Sequence, residues 1–374
     1  MSEKRKIRVG ILFGGKSGEH EVSLTSAQNV MAAMDKSKYD IVPIGITKSG
    51  VWFTGENVMA QLTGAAEMPP QIAARAAQSR SLTPFLDDSV VARDAAIGTL
   101  DVIFPVLHGP MGEDGTVQGM LELAGLPYVG CGVLGSAASM DKVVAKDIFR
   151  AHDIPVLPYV TVLRKTWFAE PEAVRAQIES ALAYPVFVKP ANMGSSVGIS
   201  KVHGADELAA AMDEAAAYDR RLLVEQGINA REIEVSILGN DDPQASVPGE
   251  ILPSREFYSY AAKYLDGDSE LLIPAPLTPA QTTAVQKYAI AAFLALDCAG
   301  LARVDFLLDR ESGAVYLNEV NAMPGFTEIS MYPKLWAADG LGYSALIDRL
   351  IELALERHTE RTKNRTDFNV SEAT

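Results

Sequence analysis

A stretch near the C-terminal end carries two carboxylates and a carboxamide at strand-like spacing. Its apolar runs LARVDFLL and AVYLNEV surround the turn-forming residues DRESG, which is typical of a β-hairpin. If the turn centres near Ser312, Asp305 lies opposite Glu319. In the same register Arg303 lies opposite Asn321. One face of the hairpin then holds two acids, an amide and a guanidinium.

This hairpin face has the composition of a metal and phosphate site. Two facing carboxylates repel each other unless a cation lies between them. Oxygen atoms of Asp, Glu and Asn suit Mg²⁺, which keeps several waters and usually completes its shell with phosphate oxygens. The alternative is a surface hairpin with solvated charges, or a simple Arg–Asp pair. Two acids and an amide beside a guanidinium favour the metal site.

The bulk composition excludes several classes of protein. A chain of 374 residues has room for two or three domains. Its formal charge of −15 argues against a nucleic-acid partner and gives no reason to expect a membrane partner. Cys131 and Cys298 are too few for a disulfide framework or a Cys-rich zinc site. Without a signal-peptide pattern or a membrane span, we expect a soluble, cytoplasmic protein.

The N-terminal region predicts a β–loop–α unit. An apolar run from Ile7 to Phe13 leads into two glycines, and a helix is predicted from Glu21 to Met34. Residues 10–17 formally match the phosphate loop G-x-x-x-x-G-K-[ST], but the intervening residues are strand core, so we treat the match as accidental. Glu19 lies where the loop meets the helix, and it could bind a substrate ammonium group or merely cap the helix.

Further strands follow this unit. One is predicted from Tyr39 to Thr47 and a buried one from Asp101 to Val106. His108 follows the second of these, at the strand end where open α/β sheets bind ligands. It is therefore a candidate substrate-binding residue, with a structural role as the alternative. Residues 55–98 pattern weakly, and we take them as an insertion in the first domain.

The stretch YPVFVKPANMGSSVGISKV predicts a strand, a Gly/Ser loop and a second strand. The first strand ends in Lys189, the loop holds Ser195 and Ser196, and the second strand resumes at Ile199. Backbone N–H groups and hydroxyls of such a loop can cover phosphates. An ordinary hairpin turn is the alternative. The lysine directly before the loop favours phosphate binding.

Three further segments complete the candidate site. A helix predicted from Ser136 to His152 carries Lys142 and Lys146. Farther along, Glu225 could bind an adenine amino group and Glu232 could bind ribose hydroxyls, with a solvated surface acid as the alternative for each. The unpatterned, aromatic segment FYSYAAKYLDGDSELL is long enough for a functional lid.

Taken together, these features suit phosphoryl transfer, in which a metal ion and cations meet the charge on the transferred group. No nucleophilic Cys–His or Ser–His arrangement is visible, so we expect the acceptor to be a bound substrate. After the hairpin, the Gly325 N–H could stabilise a tetrahedral oxyanion.

Eight segments in order resemble the D-alanine–D-alanine ligases of the ATP-grasp superfamily. The resemblance covers Ile7 to His358, and the segments read GGKSGEHEVSL, LHGPMGEDGTVQGMLEL, SMDK, VKPANMGSSVGISKV, REIEVSILG, AAKY, ARVDF and NEVNAMPGFTEISMYP. The resemblance implies an α/β fold, α+β in the ATP-grasp part, with three domains. These are a Rossmann-like parallel-sheet domain over residues 1–130 on the substrate side, a central subdomain over 131–226, and a C-terminal subdomain over 227–374 with the metal and substrate site.

The same resemblance implies the reaction and its ligands. Two D-alanines are joined through an acyl phosphate at the expense of ATP, to supply peptidoglycan precursors. The implied ATP-binding residues are Lys142, Lys189, Ser195, Ser196, Glu225, Gln226, Ile228, Glu232 and Lys263. Two Mg²⁺ ions, with Mn²⁺ as an alternative, are implied at Asp305, Glu319 and Asn321. Where some members have Lys-Trp-Leu, this chain has Gln226-Gly227-Ile228, a change that backbone contacts to adenine can survive.

The resemblance also assigns substrate and catalytic roles. Residues at the D-alanine sites are Glu19, His108, Ser330 and Met331. Residues implied in catalysis are Glu19, Ser195, Tyr264, Arg303 and Gly325. In this scheme a link from Glu19 to Ser195 and Tyr264 closes the lid, while Arg303 and the Gly325 N–H meet the oxyanion. A homodimer is implied as well.

Four other functions stay open at this point. A D-alanine–D-lactate ligase resembles this chain, but typically replaces the Lys263-Tyr264 pair by a His, so the pair favours an amine acceptor. Another ATP-grasp carboxylate–amine ligase is a more distant alternative. A P-loop kinase would use Lys16. A non-catalytic ATP sensor would have a degenerate metal face, which the complete set of Asp305, Glu319 and Asn321 argues against.

Overall fold

The computed structural model describes residues 5–55, 57–68, 99–252 and 270–365. Within these residues it has a mixed α/β architecture, as the sequence predicts, and the strands form three sheets. Most of the 55–98 insertion, and the lid segment with Lys263 and Tyr264, lie outside the described residues.

The first sheet has the strand order β3-β2-β1-β4. Its strands are β1 (Ile7–Gly14), β2 (Tyr39–Ile46), β3 (Trp52–Thr54) and β4 (Val102–Val106). β1 runs parallel to β2 and β4, so the carboxyl ends of β1 and β4 meet at one edge. This part of the chain also holds α1 (His20–Ala33), α2 (Val58–Leu62) and α3 (Thr116–Leu123). The loops that follow β1 and β4 therefore open onto the same side of the sheet.

The second sheet is antiparallel, in the order β5-β8-β6-β7. Its strands are β5 (Tyr159–Leu163), β6 (Val186–Pro190), β7 (Ser200–Val202) and β8 (Arg221–Gln226). The helices beside it are α6 (Arg164–Ala169), α7 (Pro171–Ala181) and α8 (Ala205–Tyr218). The predicted strand, loop and strand around the Gly/Ser segment are confirmed as β6, residues 191–199 and β7.

The third sheet contains the predicted metal hairpin. It follows the order β12-β11-β9-β13-β14, with β10 beside β9. Its strands are β9 (Ala230–Gly239), β10 (Gln244–Ala245), β11 (Gly249–Leu252), β12 (Glu270–Leu272), β13 (Gly300–Asp309) and β14 (Val315–Asn321). In the hairpin formed by β13 and β14, Asp305 pairs with Glu319 and Arg303 pairs with Asn321. Both predicted pairs are confirmed, and a bulge between Asp305 and Phe306 shifts the register in the rest of the hairpin.

The helix predicted from Ser136 to His152 is wrong as a single element. The structure has α4 (Val133–Met140) and α5 (Lys142–Ala151), separated at Asp141. The Asp141 carboxylate accepts hydrogen bonds from the N–H groups of Val143 and Val144, both at 3.1 Å. An aspartate in this position is a favoured N-cap, so a new helix starts there. Lys142 and Lys146 both lie on this second helix.

The described residues contain three further helices: α9 (Pro279–Ala295), α10 (Met331–Ala338) and α11 (Tyr343–Arg361). α9 packs on β9, β13 and β14 and supplies Val285, Ala289 and Phe293 to their core. α11 instead packs its apolar face on the first sheet, where Leu346 and Leu350 share a core with strand residues. The last helix thus connects the C-terminal part of the chain to the first sheet. No helix within the described ranges is long and apolar enough to cross a bilayer.

Candidate active site

A cavity of about 1320 Å³ lies where the three sheets meet. Among the described residues, every position to which the sequence analysis assigned a role in binding or catalysis lines this cavity. These residues are Glu19, His108, Lys142, Lys189, Ser195, Ser196, Glu225, Gln226, Ile228, Glu232, Arg303, Asp305, Glu319, Asn321, Gly325, Ser330 and Met331. Lys263 and Tyr264 lie outside the described part of the chain.

The apparent phosphate loop at residues 10–17 is a strand for half of its length. Ile11, Leu12 and Phe13 belong to β1 and are buried in the cores on the two faces of the first sheet. The Lys16 side chain lies against Gly50. This geometry supports the view that the match to the nucleotide-binding motif is accidental.

At the edge of the first sheet, Glu19 links two loops. It occupies the N-cap position of α1, yet its side chain makes no capping hydrogen bond to that helix. Instead its carboxylate accepts a hydrogen bond from the Ser195 hydroxyl in the loop between β6 and β7. Ser195 and Ser196 have positive φ angles of 48° and 59°, a backbone conformation that is costly for these residues and is commonly found at functional sites. The Gly/Ser loop is thus fastened over this edge of the cavity.

His108 is buried next to Glu19. Its Nδ1 lies 3.1 Å from the Met323 carbonyl oxygen, which assigns the ring proton to that nitrogen, and its Nε2 lies 3.4 Å from the Ser26 hydroxyl. Burial lowers the pKa of His108, and the charge of Glu19 opposes this shift only in part. The imidazole is therefore neutral near pH 7 and connects the first sheet to the loop after β14.

Sequence analysis missed Glu113, a second acidic residue at this edge. Its Oε1 accepts a hydrogen bond from the Gly109 N–H at 2.9 Å. Burial, with a further contribution from the Glu19 charge, raises the pKa of Glu113 to about 8. Gly109 has a φ of +74°, and a Cβ there would lie 2.7 Å from Glu19 Oε2, so glycine permits this close approach. The glycine-rich GEDG pattern after His108 was the available signal.

On the hairpin, Arg303 lies among carboxylates. Its Nε and Nη2 donate to the two oxygens of Asp305 at 2.7 and 2.8 Å, and its Nε lies 3.1 Å from Glu234 Oε2. Although burial acts in the opposite direction, these acids raise the pKa of Arg303 well above its usual value. Glu234 lies on β9 directly opposite Asp305, and sequence analysis missed it because its role depends on which strand pairs with the hairpin.

The hairpin residues fit a hard divalent cation. Asp305 and Glu319 face each other across the ladder, and Asn321 Nδ2 lies 2.9 Å from Asp305 Oδ2. Amide nitrogen and oxygen are exchanged by a flip of the side chain, so Asn321 can offer its oxygen instead. Within the described residues no group of three or more His, Cys, Asp or Glu could hold a metal ion. The protein thus supplies two carboxylates and an amide, a set that requires phosphate and water oxygens as further ligands.

The opposite end of the cavity holds a buried cluster of three charges. Glu225 Oε2 accepts a hydrogen bond from Lys189 Nζ at 2.7 Å, and Glu225 Oε1 lies 2.5 Å from Lys146 Nζ. Burial raises the pKa of Glu225, but the two lysines outweigh it and lower the pKa overall. Lys146 was noted on its helix but given no role. Its spacing of four residues from Lys142, one helical turn, was the available signal.

Lys142 connects the Gly/Ser loop to the hairpin. Its Nζ donates to the Met193 carbonyl in the Gly/Ser loop at 2.8 Å and lies 3.6 Å from Glu319 Oε2. The Gln226 side chain, by contrast, is bonded to the backbone of Ala183, with its Oε1 2.9 Å from the amide nitrogen and its Nε2 2.7 Å from the carbonyl oxygen.

The last part of the site follows β14. The Ser330 hydroxyl lies 2.8 Å from the Thr327 hydroxyl and accepts from the Thr327 N–H at 3.1 Å. Ser330 is the N-cap of α10, so Met331 begins a helix whose first N–H groups favour an anion. A Cβ on Gly325 would lie 3.2 Å from the Ser330 hydroxyl, so glycine keeps the backbone close to this turn.

Comparison with known proteins gives consistent family matches. A family model described as the D-ala D-ala ligase N-terminus matches residues 8–131, and one described as the D-ala D-ala ligase C-terminus matches residues 148–352. A protein named D-alanine–D-alanine ligase from Heliobacterium modesticaldum is 52% identical over 362 residues, which cover 97% of this chain and 98% of that protein.

Solved structures are similar over nearly the whole chain. The D-alanine–D-alanine ligase from Coxiella burnetii superposes with a TM-score of 0.79 at 36% identity, covering 96% of this chain and 97% of that one. The VanG D-Ala:D-Ser ligase from Enterococcus faecalis also has a TM-score of 0.79 at 36% identity, covering 94% of this chain and 100% of that one.

Proposed function

Because the chain belongs to the D-alanine–D-alanine ligase family, we propose that it joins two D-alanines at the expense of ATP in the large cavity between its three sheets. The protein is an ATP-dependent ligase with the ATP-grasp fold, and its product is a dipeptide for peptidoglycan synthesis. The residue roles follow from the family resemblance, and the described residues among them support the proposal because they line that cavity.

ATP lies between the second and third sheets. Its phosphates are bound by Lys142 and Lys189 and covered by the Gly/Ser loop with Ser195 and Ser196, since these groups line one continuous cavity. Near the adenine are Glu225, Gln226 and Ile228, with Glu232 at the ribose and Lys263 from the lid segment as a further phosphate ligand. This arrangement directs the terminal phosphate towards the hairpin.

Asp305, Glu319 and Asn321 would hold Mg²⁺, or Mn²⁺, because their oxygens suit a hard cation, and phosphate oxygens would complete its shell. When bound, two such ions neutralise the phosphate charge that develops during transfer. Glu319 lies near Lys142, so metal and lysine can meet the same phosphate group.

In the first step, Glu19 binds the ammonium group of one D-alanine, and its hydrogen bond with Ser195 brings the loop over that substrate. A carboxylate oxygen of this D-alanine forms a bond to the γ-phosphorus while the bond to ADP breaks. The products are an acyl phosphate and ADP. Tyr264, on the lid segment, is the proposed partner that closes this side.

In the second step, the amine of the second D-alanine attacks the acyl carbon, and the bond to inorganic phosphate then breaks. Arg303 and the Gly325 N–H stabilise the oxyanion, since the guanidinium is held rigidly on the hairpin by Asp305 and Glu234. Ser330 and the first turn of α10 bind the carboxylate of this substrate, while His108 lines the substrate side. The amine loses its proton as the peptide bond forms.

One observation carries this proposal. The Asp305–Glu319 pair, Arg303 and the lysines 142 and 189 all line one cavity, although they come from separate parts of the chain. The test is release of phosphate from ATP and Mg²⁺ with D-alanine, L-alanine or no amino acid. We expect release only with D-alanine, with one dipeptide formed per phosphate. Equal release in all three reactions would contradict the proposal.

The acceptor can be determined in the same assay. With D-alanine as donor and D-lactate or D-serine competing at neutral pH, we expect D-alanyl-D-alanine as the main product. A depsipeptide or a D-serine product in excess would change the acceptor assignment but not the donor chemistry. Serine is included because a structural neighbour is named a D-Ala:D-Ser ligase.

The assembly and location are proposals from family resemblance. We propose a cytoplasmic homodimer, with domains over residues 1–130, 131–226 and 227–374. Light scattering would then give a mass of twice the 40.1 kDa of one chain. A mass of one chain at micromolar concentration would contradict the dimer.

A further inference from the structure

Lys146 is a buried lysine that has no role in the proposed reaction. It lies on α5, one turn beyond Lys142, and only 1% of its surface is exposed. Among the described residues, Lys142 lines the cavity whereas Lys146 does not. Lys146 therefore lies behind the cavity wall, where it can affect a substrate only through another side chain.

That other side chain is Glu225. Lys146 Nζ lies 2.5 Å from Glu225 Oε1, while Lys189 Nζ donates to Glu225 Oε2 at 2.7 Å. Glu225 is 1% exposed as well. Neither Lys146 Nζ nor Glu225 Oε1 has a hydrogen-bond partner within the described residues, so the contact between them is an ion pair without aligned hydrogen-bond geometry.

The two lysines differ in what they can reach. Lys189 lines the cavity and also approaches Asn318 Oδ1 at 3.5 Å, so its ammonium group can turn from Glu225 towards an arriving phosphate. Such a turn would withdraw one of the two positive charges from Glu225. A buried carboxylate left without a counterion is strongly unfavourable, so the turn requires a second cation that stays in place.

We propose that Lys146 is this permanent counterion: it holds Glu225 in position, so that Lys189 can exchange Glu225 for the phosphates of ATP. The proposal rests on the ATP-binding role assigned to Lys189 and Glu225 under the proposed function. Lys146 is thus a positioning residue for the nucleotide. A purely structural ion pair is the alternative that the experiment must separate from it.

The test is a double-mutant cycle with Lys146→Met and Glu225→Gln, in which ATP affinity, the KM for D-alanine and melting temperature are measured for each variant. We expect Lys146→Met to weaken ATP binding about 30-fold or more in the native background, because Lys189 then remains held by Glu225. The KM for D-alanine should change less than about two-fold. In the Glu225→Gln background the same substitution should leave ATP affinity nearly unchanged, since no carboxylate needs a counterion.

A structural role gives a different result. The proposal is wrong if Lys146→Met lowers the melting temperature without weakening ATP binding. It is also wrong if Lys146→Met weakens ATP binding equally in the native and the Glu225→Gln backgrounds. If Lys146→Met does not fold, the ATP affinity of Glu225→Gln is compared with that of the double variant. The proposal predicts equal ATP affinities for these two variants, and weaker ATP binding by the double variant would overturn it. If the wild-type protein does not bind ATP, the proposed function itself is wrong. This result distinguishes failure of the proposed function from failure of the Lys146 proposal.

Discussion

At the nucleotide end of the cavity, one carboxylate is held by two ammonium groups, whereas at the hairpin end one guanidinium is held among several carboxylates. Glu225 contacts Lys146 and Lys189. Arg303 contacts Asp305 and Glu234, and the charge of Glu319 acts on it as well. The first end has a surplus of positive charge and the second a surplus of negative charge.

This difference shows what each end is built to receive. Uncompensated charge in a partly buried site is costly, so a surplus persists where a ligand of opposite charge completes the site. Phosphates suit the two-lysine end, and a divalent cation suits the acidic end. Under the proposed function, Mg-ATP would bind to two oppositely charged surfaces, and its terminal phosphate would lie where they meet.

Removing a cation from the nucleotide end should have the largest effect. Lys189→Ala is expected to reduce phosphate release by about 10³-fold or more, because a charged donor to the transferred phosphate is lost and Glu225 loses a partner. Steady-state phosphate release with saturating D-alanine measures this. Lys16→Ala is the matched control and should retain wild-type turnover. Loss of turnover in that control would support a P-loop kinase instead.

Removing an acid from the hairpin should change the metal requirement. Asp305→Asn is expected to raise the Mg²⁺ concentration for half-maximal activity by about 100-fold, because one anionic ligand is lost. A Mg²⁺ titration of phosphate release measures this. Glu311→Gln, at the exposed tip of the same hairpin, is the control and should titrate like wild type. An unchanged Mg²⁺ titration for Asp305→Asn would show that the metal does not bind to this hairpin.

A smaller effect is expected at Glu234, which contacts Arg303 and is not one of the proposed metal ligands. Glu234→Gln should lower kcat about ten-fold and leave the KM for ATP unchanged, because Arg303 loses one of the acids that orient it. Kinetics at varied ATP measure both constants. A rise in KM for ATP with unchanged kcat would show that Glu234 belongs to the nucleotide end instead.

The smallest effect concerns stability and pH at Glu113. The folded-state pKa of about 8 lies above the usual value of 4.5, so unfolding releases a proton between these two pH values. Wild-type stability should therefore fall as pH rises from 5 to 8, by less than about 1.4 kcal/mol per pH unit. Glu113→Gln removes this dependence, so the melting temperature of the variant should increase relative to that of the wild type as pH rises. Parallel curves would show that Glu113 is ionised in the folded protein.

The hairpin register was predictable because it depends on local signals. The DRESG turn sets the loop and the alternation of apolar and polar residues sets the facing pairs, so Asp305 and Glu319 could be placed opposite each other. The strand, loop and strand around Ser195 was predictable for the same reason.

What escaped prediction depends on long-range packing. Glu234 meets Arg303 because β9 pairs with β13, and Lys146 meets Glu225 because α5 packs behind the second sheet. No pattern within one segment reports such a neighbour. The helix break at Asp141 was a local error, since an aspartate two residues before Val143 is a recognisable N-cap.

The opposite charge of the two ends can be tested by binding of ADP without metal. Calorimetry in the presence of EDTA would compare wild type, Lys189→Ala and the double variant Asp305→Asn/Glu319→Gln. We predict that Lys189→Ala weakens ADP binding at least about ten-fold, whereas the hairpin variant binds metal-free ADP as tightly as wild type or more tightly, because it has lost two repelling carboxylates. Equal weakening in both variants would contradict the division of the cavity into a cationic and an anionic end.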